Sequence, residues 1–302
     1  MSVVPEPATP DADGDGDGDG DGPEPSSRRA QRAAERRRAR AGRRFSVVGV
    51  LGELLITAGI VVLLYIGWQL WFTEITVGHE QRVEASEQSR EWNEQAASAP
   101  PSAPPTPEPT QEPTSEPSEP ADPAWIEPPV ENAPAASQRL GMLIVPRWGA
   151  DYYRTIAEGT DMAQVLDRGR LGHYSNTSMP GAVGNFAIAA HRMGHGGSLH
   201  YIDELRLGDH IYVETASGWY RYEFRNLEYV RPTGVGVLNP VPQSPETPPT
   251  ERYITLTSCN PEHTTHERII AYGVLTAFYP RDAAAANFGA PDEIAATVGG
   301  SA

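Results

Sequence analysis

The hydrophobic positions of the chain divide into two kinds of segment, one long and continuous and the others short. Residues 46–72 are almost entirely apolar, and the 19 residues from 54 to 72 carry no charged side chain. A helix of that length rises about 28 Å, which matches the roughly 30 Å hydrocarbon core of a bilayer. The pattern therefore predicts one transmembrane helix over residues 46–72.

Residues 138–282 instead alternate short apolar runs with turn signals. The runs are rich in β-branched and aromatic residues, as strands are, and they cover residues 141–146, 184–190, 210–215, 218–224, 253–257 and 268–275. Only two short stretches, 161–168 and 199–205, have a helical pattern. The segment is therefore predicted to be a mainly β domain with short helices, either a sandwich or a barrel, with one core.

The remaining segments lack the apolar residues that a core needs. Residues 1–45 join an acidic Asp-Gly repeat to an arginine-rich stretch and are expected to be disordered. Residues 73–137 are rich in proline and glutamate, which predicts an extended extracytoplasmic linker, although its first part, 73–99, could briefly continue the helix. Residues 283–302 contain alanine and glycine runs and are expected to form a flexible tail.

The distribution of charge sets the orientation of the predicted span. Nine arginines lie between residues 28 and 44, directly before the span, whereas only Arg82 and Arg90 follow it closely. The positive-inside rule then places the N-terminus in the cytoplasm and the β domain outside the plasma membrane. No small-residue cleavage site follows Phe72, so a retained anchor is favoured over a signal peptide. The net charge of −16 argues against a nucleic-acid partner.

The single cysteine, Cys259, is the candidate nucleophile. It follows a strand-like run and precedes Asn260 and Pro261, so a strand would position the thiol and a loop would expose it. A lone cysteine excludes a disulfide framework and a CxxC site. The alternative is an inert buried cysteine. A reactive thiol without a purpose is an oxidation liability outside the cell, which favours a functional role.

A cysteine nucleophile needs a base or a cation nearby to supply the thiolate. His191 ends another strand-like run, and Arg268 opens the strand that follows Cys259, where a hairpin would return it beside the thiol. His195 and His200 follow His191 and suggest a metal site. Two glycines after His195 break any helix that would align these histidines, and no HExxH motif is present, so neither a metal nor a cofactor is predicted.

Together these residues resemble the motifs of the sortase family. The matching motifs are LIVP at 143–146, GHY at 172–174, MPG at 179–181, AHR at 190–192 and TLTSC at 255–259. The last is similar to the sortase TLxTC signature with Ser258 in place of threonine, and Arg268 lies where sortases have their catalytic arginine. The segment 208–215 looks most like class E, the housekeeping type of actinobacteria.

The resemblance implies a membrane-anchored cysteine transpeptidase on an eight-stranded β-barrel, without a cofactor. Sortases cleave a C-terminal LPxTG or LAxTG sorting signal of a secreted protein between threonine and glycine. They form a thioester and pass it to an amine such as that of a lipid II-type cell-wall precursor. Carried over to this chain, Cys259 is the nucleophile, His191 the general acid and base, and Arg268 the residue that positions substrate and stabilises the oxyanion.

Two other hypotheses compete with this one. An L,D-transpeptidase would need a SHGC-like context around the cysteine, which residues 257–261 do not supply. A non-catalytic, membrane-anchored β module that binds cell wall or protein remains an alternative, and it predicts that Cys259 is buried.

Overall fold

A closed eight-stranded barrel dominates the computed structural model, which describes residues 26–41, 46–98 and 125–299. Its strands are β1 Arg139–Ile144, β2 Tyr153–Glu158, β3 Leu171–His173, β4 Gly184–Ala189, β5 His210–Glu214, β6 Gly218–Val230, β7 Arg252–Asn260 and β8 Glu267–Pro280. Three α-helices accompany them, α1 Ser26–Ala41, α2 Val47–Ser98 and α3 Ala295–Gly299. The eight-stranded barrel that the resemblance implied is confirmed, and a sandwich is excluded.

The order of strands around the barrel is β1-β2-β3-β4-β7-β8-β6-β5, with β5 pairing back onto β1. β2 pairs with β3 and β4 pairs with β7 in parallel, and the other pairs are antiparallel. The six predicted strand-like runs all form strands, whereas β2 and β3 were not predicted. The parallel pairing of β4 with β7 brings the carboxyl ends of both strands to one edge of the barrel.

The barrel interior is filled by aliphatic side chains from all sides of the sheet. Leu143, Ile156, Ile188, Leu256 and Ile269 are each fully buried in this cluster. Burying one such side chain stabilises the folded state by about 1.5–3 kcal/mol. The interior therefore supplies the rigid frame on which the strand ends carry functional residues.

A second apolar cluster lies on the outer face of β1, β2, β5 and β6. Its largest members are Met142, Ile144, Tyr153, Tyr212 and Trp219. Strands that are apolar on both faces need a cover on the side away from the core. Part of α2 and the C-terminal segment provide this cover.

The C-terminal half of α2 corrects the expected linker over residues 73–98. Gln81, Ala85 and Ser89 are spaced four residues apart on one face of the helix, and all three are buried. The hydroxyl of Ser89 donates to Oε1 of Glu214 on β5 at 2.7 Å. This contact face is small and polar, so it leaves no apolar stripe in the sequence that would indicate packing against the barrel.

A buried ion pair connects α2, β5 and the end of the barrel. Nη2 of Arg281 lies 2.6 Å from Oε1 of Glu214, and both side chains are almost completely buried. The hydroxyl of Tyr153 also donates to Glu214, and burial raises the pKa of Tyr153 well above its ordinary value. Removing one partner of such a buried pair costs about 3–5 kcal/mol. The pair therefore fixes the cover to the barrel.

The C-terminal segment also differs from the flexible tail expected at 283–302, because its described residues, 283–299, include several that pack against the barrel. Ile294 is fully buried in the outer cluster, and Ala290 is nearly so. The hydroxyl of Tyr212 donates to Glu293 at 2.6 Å. Two apolar residues are enough here because the barrel already presents an apolar surface to them.

Residues 125–137, the last part of the expected linker, run along the barrel without regular secondary structure. The backbone N–H of Glu131 donates to the carbonyl of Pro180 at 3.1 Å, and its carboxylate accepts from the hydroxyl of Tyr220 at 2.9 Å. The proline-rich stretch at 99–124 lies outside the described residues.

The N-terminal segment, expected to be disordered over residues 1–45, contains α1 at Ser26–Ala41. Alanine and arginine dominate this stretch, and both are strong helix formers. This helix differs from the disorder expected there, since its residues favour a helix although they offer no apolar face to bury. The Asp-Gly repeat lies outside the described residues.

The first part of α2 agrees in position with the predicted span. Val47–Trp68 comprises 22 residues with a mean hydropathy of 2.5, and among the described residues it is the one helical segment long and apolar enough to cross a membrane.

Candidate active site

Cys259 lies one residue before the end of β7. Its thiol is free and its side chain is partly exposed, whereas the five preceding residues of the strand are buried. Partial exposure is typical of a reactive thiol and not of a core cysteine. The structure therefore does not support the buried cysteine that the non-catalytic alternative predicted.

Arg268 lies directly opposite Cys259 in the antiparallel β7–β8 ladder. Side chains at opposite positions share one face of the sheet, with Cβ atoms about 4.5–5.5 Å apart. Nη1 of Arg268 donates to the carbonyls of Thr265 at 3.1 Å and Glu267 at 2.9 Å. These two bonds hold the guanidinium of Arg268 at the β7–β8 loop. Arg268 on β8 and Cys259 on β7 thus belong to one hairpin.

His191 approaches Cys259 from the other side of β7. β4 and β7 are parallel, with Ala189 opposite Thr257, and the N–H of Ala190 donates to the carbonyl of Thr257 at 3.2 Å. His191 and Cys259 each come two residues after this pair. They therefore lie at the same distance past the last pair of the ladder, at the neighbouring ends of β4 and β7. The His191 side chain is 20% exposed.

Ser258 uses its hydroxyl to join the two strands that carry His191 and Cys259. Its Oγ donates to the carbonyl of Ala190 at 2.9 Å, and the residue is 3% exposed. A threonine hydroxyl would make the same bond, so serine at this position of the signature keeps the function of the hydroxyl and loses only a methyl group.

Asp167, which no sequence pattern indicates as a site residue, contacts His191. Its Oδ1 lies 2.9 Å from Nε2 of His191, and it belongs to the 3₁₀ turn Leu166–Arg168 between β2 and β3. A carboxylate in this position orients the imidazole and fixes which ring nitrogen faces outward. The nearest sequence signal was the short helical pattern at 161–168. That pattern predicts a helical turn but does not indicate which residue the carboxylate of Asp167 contacts.

His195 joins the same group through the glycine-rich loop after His191. The two imidazole rings stack with centroids 5.0 Å apart, and Nδ1 of His195 lies 3.0 Å from the carbonyl oxygen of Asp167. His195 itself has a φ of +50°, and Gly194 and Gly196 beside it also have positive φ. His200 lies elsewhere, with Nδ1 2.9 Å from the sulfur of Met193.

Arg192 connects the segments that carry the histidine and the cysteine, and the sequence analysis assigned it no role. It is 6% exposed, and its Nη1 donates to Oδ1 of Asn260 at 2.7 Å. Its Nη2 lies 2.9 Å from Asp203 and 3.6 Å from Glu262. The residue after His191 is thereby tied to the residue after Cys259.

A cavity of about 360 Å³ is connected to β7 through one of its lining residues. The lining comes from the β2–β3 segment, the β3–β4 loop and the segment after β6, and consists of Thr160, Tyr174, Ser175, Asn176, Thr177, Val235, Leu238 and Asn239. The hydroxyl of Tyr174 lies 3.1 Å from Oγ1 of Thr257, which shares a face of β7 with Cys259.

Comparisons with known proteins agree on one family. The model of the sortase domain matches residues 143–276. Sortase SrtE1 of Streptomyces coelicolor is 33% identical over 259 residues, which cover 83% of this chain and 64% of that protein, so the chain spans just under two thirds of its length. Sortase SrtE2 of the same organism is 30% identical over 247 residues, which cover 80% of this chain and 87% of that protein.

A solved structure gives the same answer for the fold. The SrtA sortase from Actinomyces oris superposes with a TM-score of 0.50 at 38% identity, covering 55% of this chain and 96% of that chain.

Proposed function

Because the chain belongs to the sortase family, we propose that it is a cysteine transpeptidase that cleaves a C-terminal LPxTG or LAxTG sorting signal between threonine and glycine. The secreted protein that carries the signal becomes a thioester on Cys259 and is then transferred to an amine of a lipid II-type cell-wall precursor. One observation carries the proposal: Arg268 is paired with Cys259 in the β7–β8 ladder, and His191 and Cys259 both follow the last pair of the β4–β7 ladder, Ala189 and Thr257, by two residues.

In the acylation step the sulfur of Cys259 attacks the carbonyl carbon of the signal's threonine. The thiolate is the attacking form, so His191 carries the proton at that moment. The imidazolium then gives this proton to the glycine nitrogen as the carbon–nitrogen bond breaks. In the second step the acceptor amine attacks the thioester, and His191 takes up the proton that the amine loses.

Arg268 supplies the positive charge for the oxyanion. Both of its described contacts use Nη1, and a guanidinium has five N–H donors. The remaining donors can reach a carbonyl oxygen at Cys259, where a planar, permanently charged group stabilises the tetrahedral intermediate. The carbonyls of Thr265 and Glu267 keep the guanidinium in place between turnovers.

Asp167 is proposed to position His191. The contact of its carboxylate with Nε2 leaves Nδ1 as the ring nitrogen available to the reaction. The cavity at Tyr174 is proposed to receive the residues of the signal that precede the threonine, because its lining reaches Thr257 on the same strand as the nucleophile.

The location of the reaction follows from the anchor. We propose that Val47–Trp68 spans the plasma membrane with the N-terminus in the cytoplasm and the barrel on the cell-wall side, because nine arginines precede the span. A periplasm-type phosphatase fused after residue 302 should be active, and the same reporter fused after residue 41 should be silent. The reverse result would overturn the orientation.

The function is tested by incubating the full chain in detergent with LPxTG and LAxTG peptides and an amine. We expect mass spectrometry to detect a thioester on the protein and a peptide–amine product cut after threonine. The full chain is required because α2 and the C-terminal segment cover the barrel. The same protein treated beforehand with a thiol-alkylating reagent is the control and should give neither species. Absence of both species from the untreated protein with either peptide would contradict the proposal.

A further inference from the structure

Three side chains that can bind a metal ion lie close together in the site, those of Asp167, His191 and His195. Oδ1 of Asp167 lies 2.9 Å from Nε2 of His191 and 3.8 Å from Nε2 of His195, and all three atoms lie within 4.8 Å of one another. The His195 side chain is 51% exposed and Asp167 is 37% exposed, so an ion can reach the group from solvent.

The backbone engages one ring nitrogen of His195 and leaves the other for an ion. Nδ1 of His195 lies 3.0 Å from the carbonyl oxygen of Asp167, and because a carbonyl oxygen only accepts, Nδ1 donates to it. Nε2 lies 3.8 Å from the carboxylate of Asp167, which is too long for a hydrogen bond. A cation between these two atoms binds both of them.

The spacing of the three atoms fits a small divalent cation. Zinc binds histidine nitrogen at about 2.0–2.1 Å and carboxylate oxygen at about 2.0–2.2 Å, which puts tetrahedral neighbours about 3.3 Å apart. The two distances from Asp167 bracket that value, and side-chain rotations that bring the two histidine nitrogens closer would complete the site. The Nδ1–carbonyl contact of His195 is the outer hydrogen bond that metal-binding histidines usually make.

A loop, and not a helix, brings His195 to His191. Gly196 and Gly197 break a helix, so helical spacing cannot align these histidines. Positive φ at Gly194, His195 and Gly196 instead turns the chain back, so that His195 stacks on His191. The third ligand, Asp167, comes from a separate turn.

We propose that Asp167, His191 and His195 form a zinc-class metal site, and that metal binding there inhibits the transpeptidase. Closing the three side chains around an ion moves the His191 ring out of the position in which Asp167 alone holds it, so the imidazole no longer faces the reacting groups at Cys259. The metal is a reversible inhibitor and not a cofactor. The inhibition rests on the proposed function, whereas the binding site does not.

Binding is tested on the full chain in detergent, without a histidine tag, by isothermal titration with zinc chloride. The Cys259→Ala protein serves as the reference, so that no thiolate contributes. We expect one zinc per chain. Adding His195→Ala or Asp167→Ala to the Cys259→Ala protein should lower the zinc affinity by at least about 100-fold, since losing even an outer contact of a metal ligand costs about 10–100-fold. His200→Ala is the matched control and should bind like the reference.

Three results would overturn the site: no stoichiometric binding, unchanged affinity after His195→Ala or Asp167→Ala, or binding that is present in the wild type and lost in Cys259→Ala. The last result would mean that zinc uses the thiol.

Inhibition is measured as the zinc concentration that halves each protein's own metal-free rate. We expect this concentration to rise at least about 30-fold in His195→Ala relative to wild type, and EDTA to restore the wild-type rate. A chelator added to metal-free enzyme should change nothing. Equal zinc sensitivity in the wild type and His195→Ala would contradict the inhibitory role. If the metal-free wild type showed no turnover, that result would contradict the proposed function. The zinc titration would then still test the binding site.

Discussion

Cys259→Ala is expected to abolish thioester formation and to lower the rate of peptide cleavage by at least about 10⁴-fold, because the nucleophile of a covalent mechanism has no substitute. The fold should survive, since the side chain is partly exposed and the change removes a single sulfur atom. Mass spectrometry of the protein after incubation with peptide measures the adduct, and quantified product measures the rate.

Cys259→Ser is the matched control for shape. It keeps the size of the side chain and replaces the thiol by a hydroxyl, which is a far weaker nucleophile at neutral pH. Both variants should unfold within about 4 °C of the wild type, which corresponds to roughly 1 kcal/mol in a domain of this size. Cleavage above about one per cent of the wild-type rate in Cys259→Ala would mean that another residue attacks the substrate.

Arg268→Lys is expected to lower kcat by about 10²–10³-fold, nearly as much as Arg268→Ala. Losing one well-placed oxyanion donor has a cost of this size. Lysine keeps the charge but loses the planar fork that can contact the loop carbonyls and the oxyanion at once. The effect should fall on kcat more than on KM, because the contact strengthens in the transition state.

Arg225→Lys on β6 is the matched control for this substitution. Arg225 is also a strand arginine, its side chain is 50% exposed, and its Nη1 lies 3.0 Å from Glu223. Its replacement should leave kcat within about threefold of the wild type. If Arg268→Lys also stayed within threefold, Arg268 would have no part in the reaction and its position opposite Cys259 would be structural only.

The nucleophile and the arginine could be proposed from sequence because both are set by one hairpin. Their separation in the chain is short, and the strand–loop–strand pattern returns the second strand beside the first. Asp167 could not be proposed, because its contact with His191 depends on how the turn Leu166–Arg168 packs against a loop far along the chain. Arg192 was visible only as part of a motif, and its three partners come from two segments that are distant in the chain, Asp203 from one and Asn260 and Glu262 from the other.

The fold shows the same division between local and distant determinants. Six strands carry apolar runs that mark them, whereas β3 has only three residues and β2 mixes charged and apolar positions. The packing of α2 was hidden because Gln81, Ala85 and Ser89 become a contact face only against the apolar outer surface of the barrel. Closure into a barrel depends on the pairing of β5 with β1, which no local pattern encodes.

The parallel pairing of β4 with β7 also determines when the protein can first act. Ser258 and Ala190 hydrogen-bond across these strands, although 68 residues separate them in the chain. Contacts between such distant residues form late, because a long loop must close before they contribute any stability. His191 and Cys259 therefore meet only after the sheet has assembled. A newly made chain therefore remains without transpeptidase activity until β7 and β8 have been synthesised and have paired.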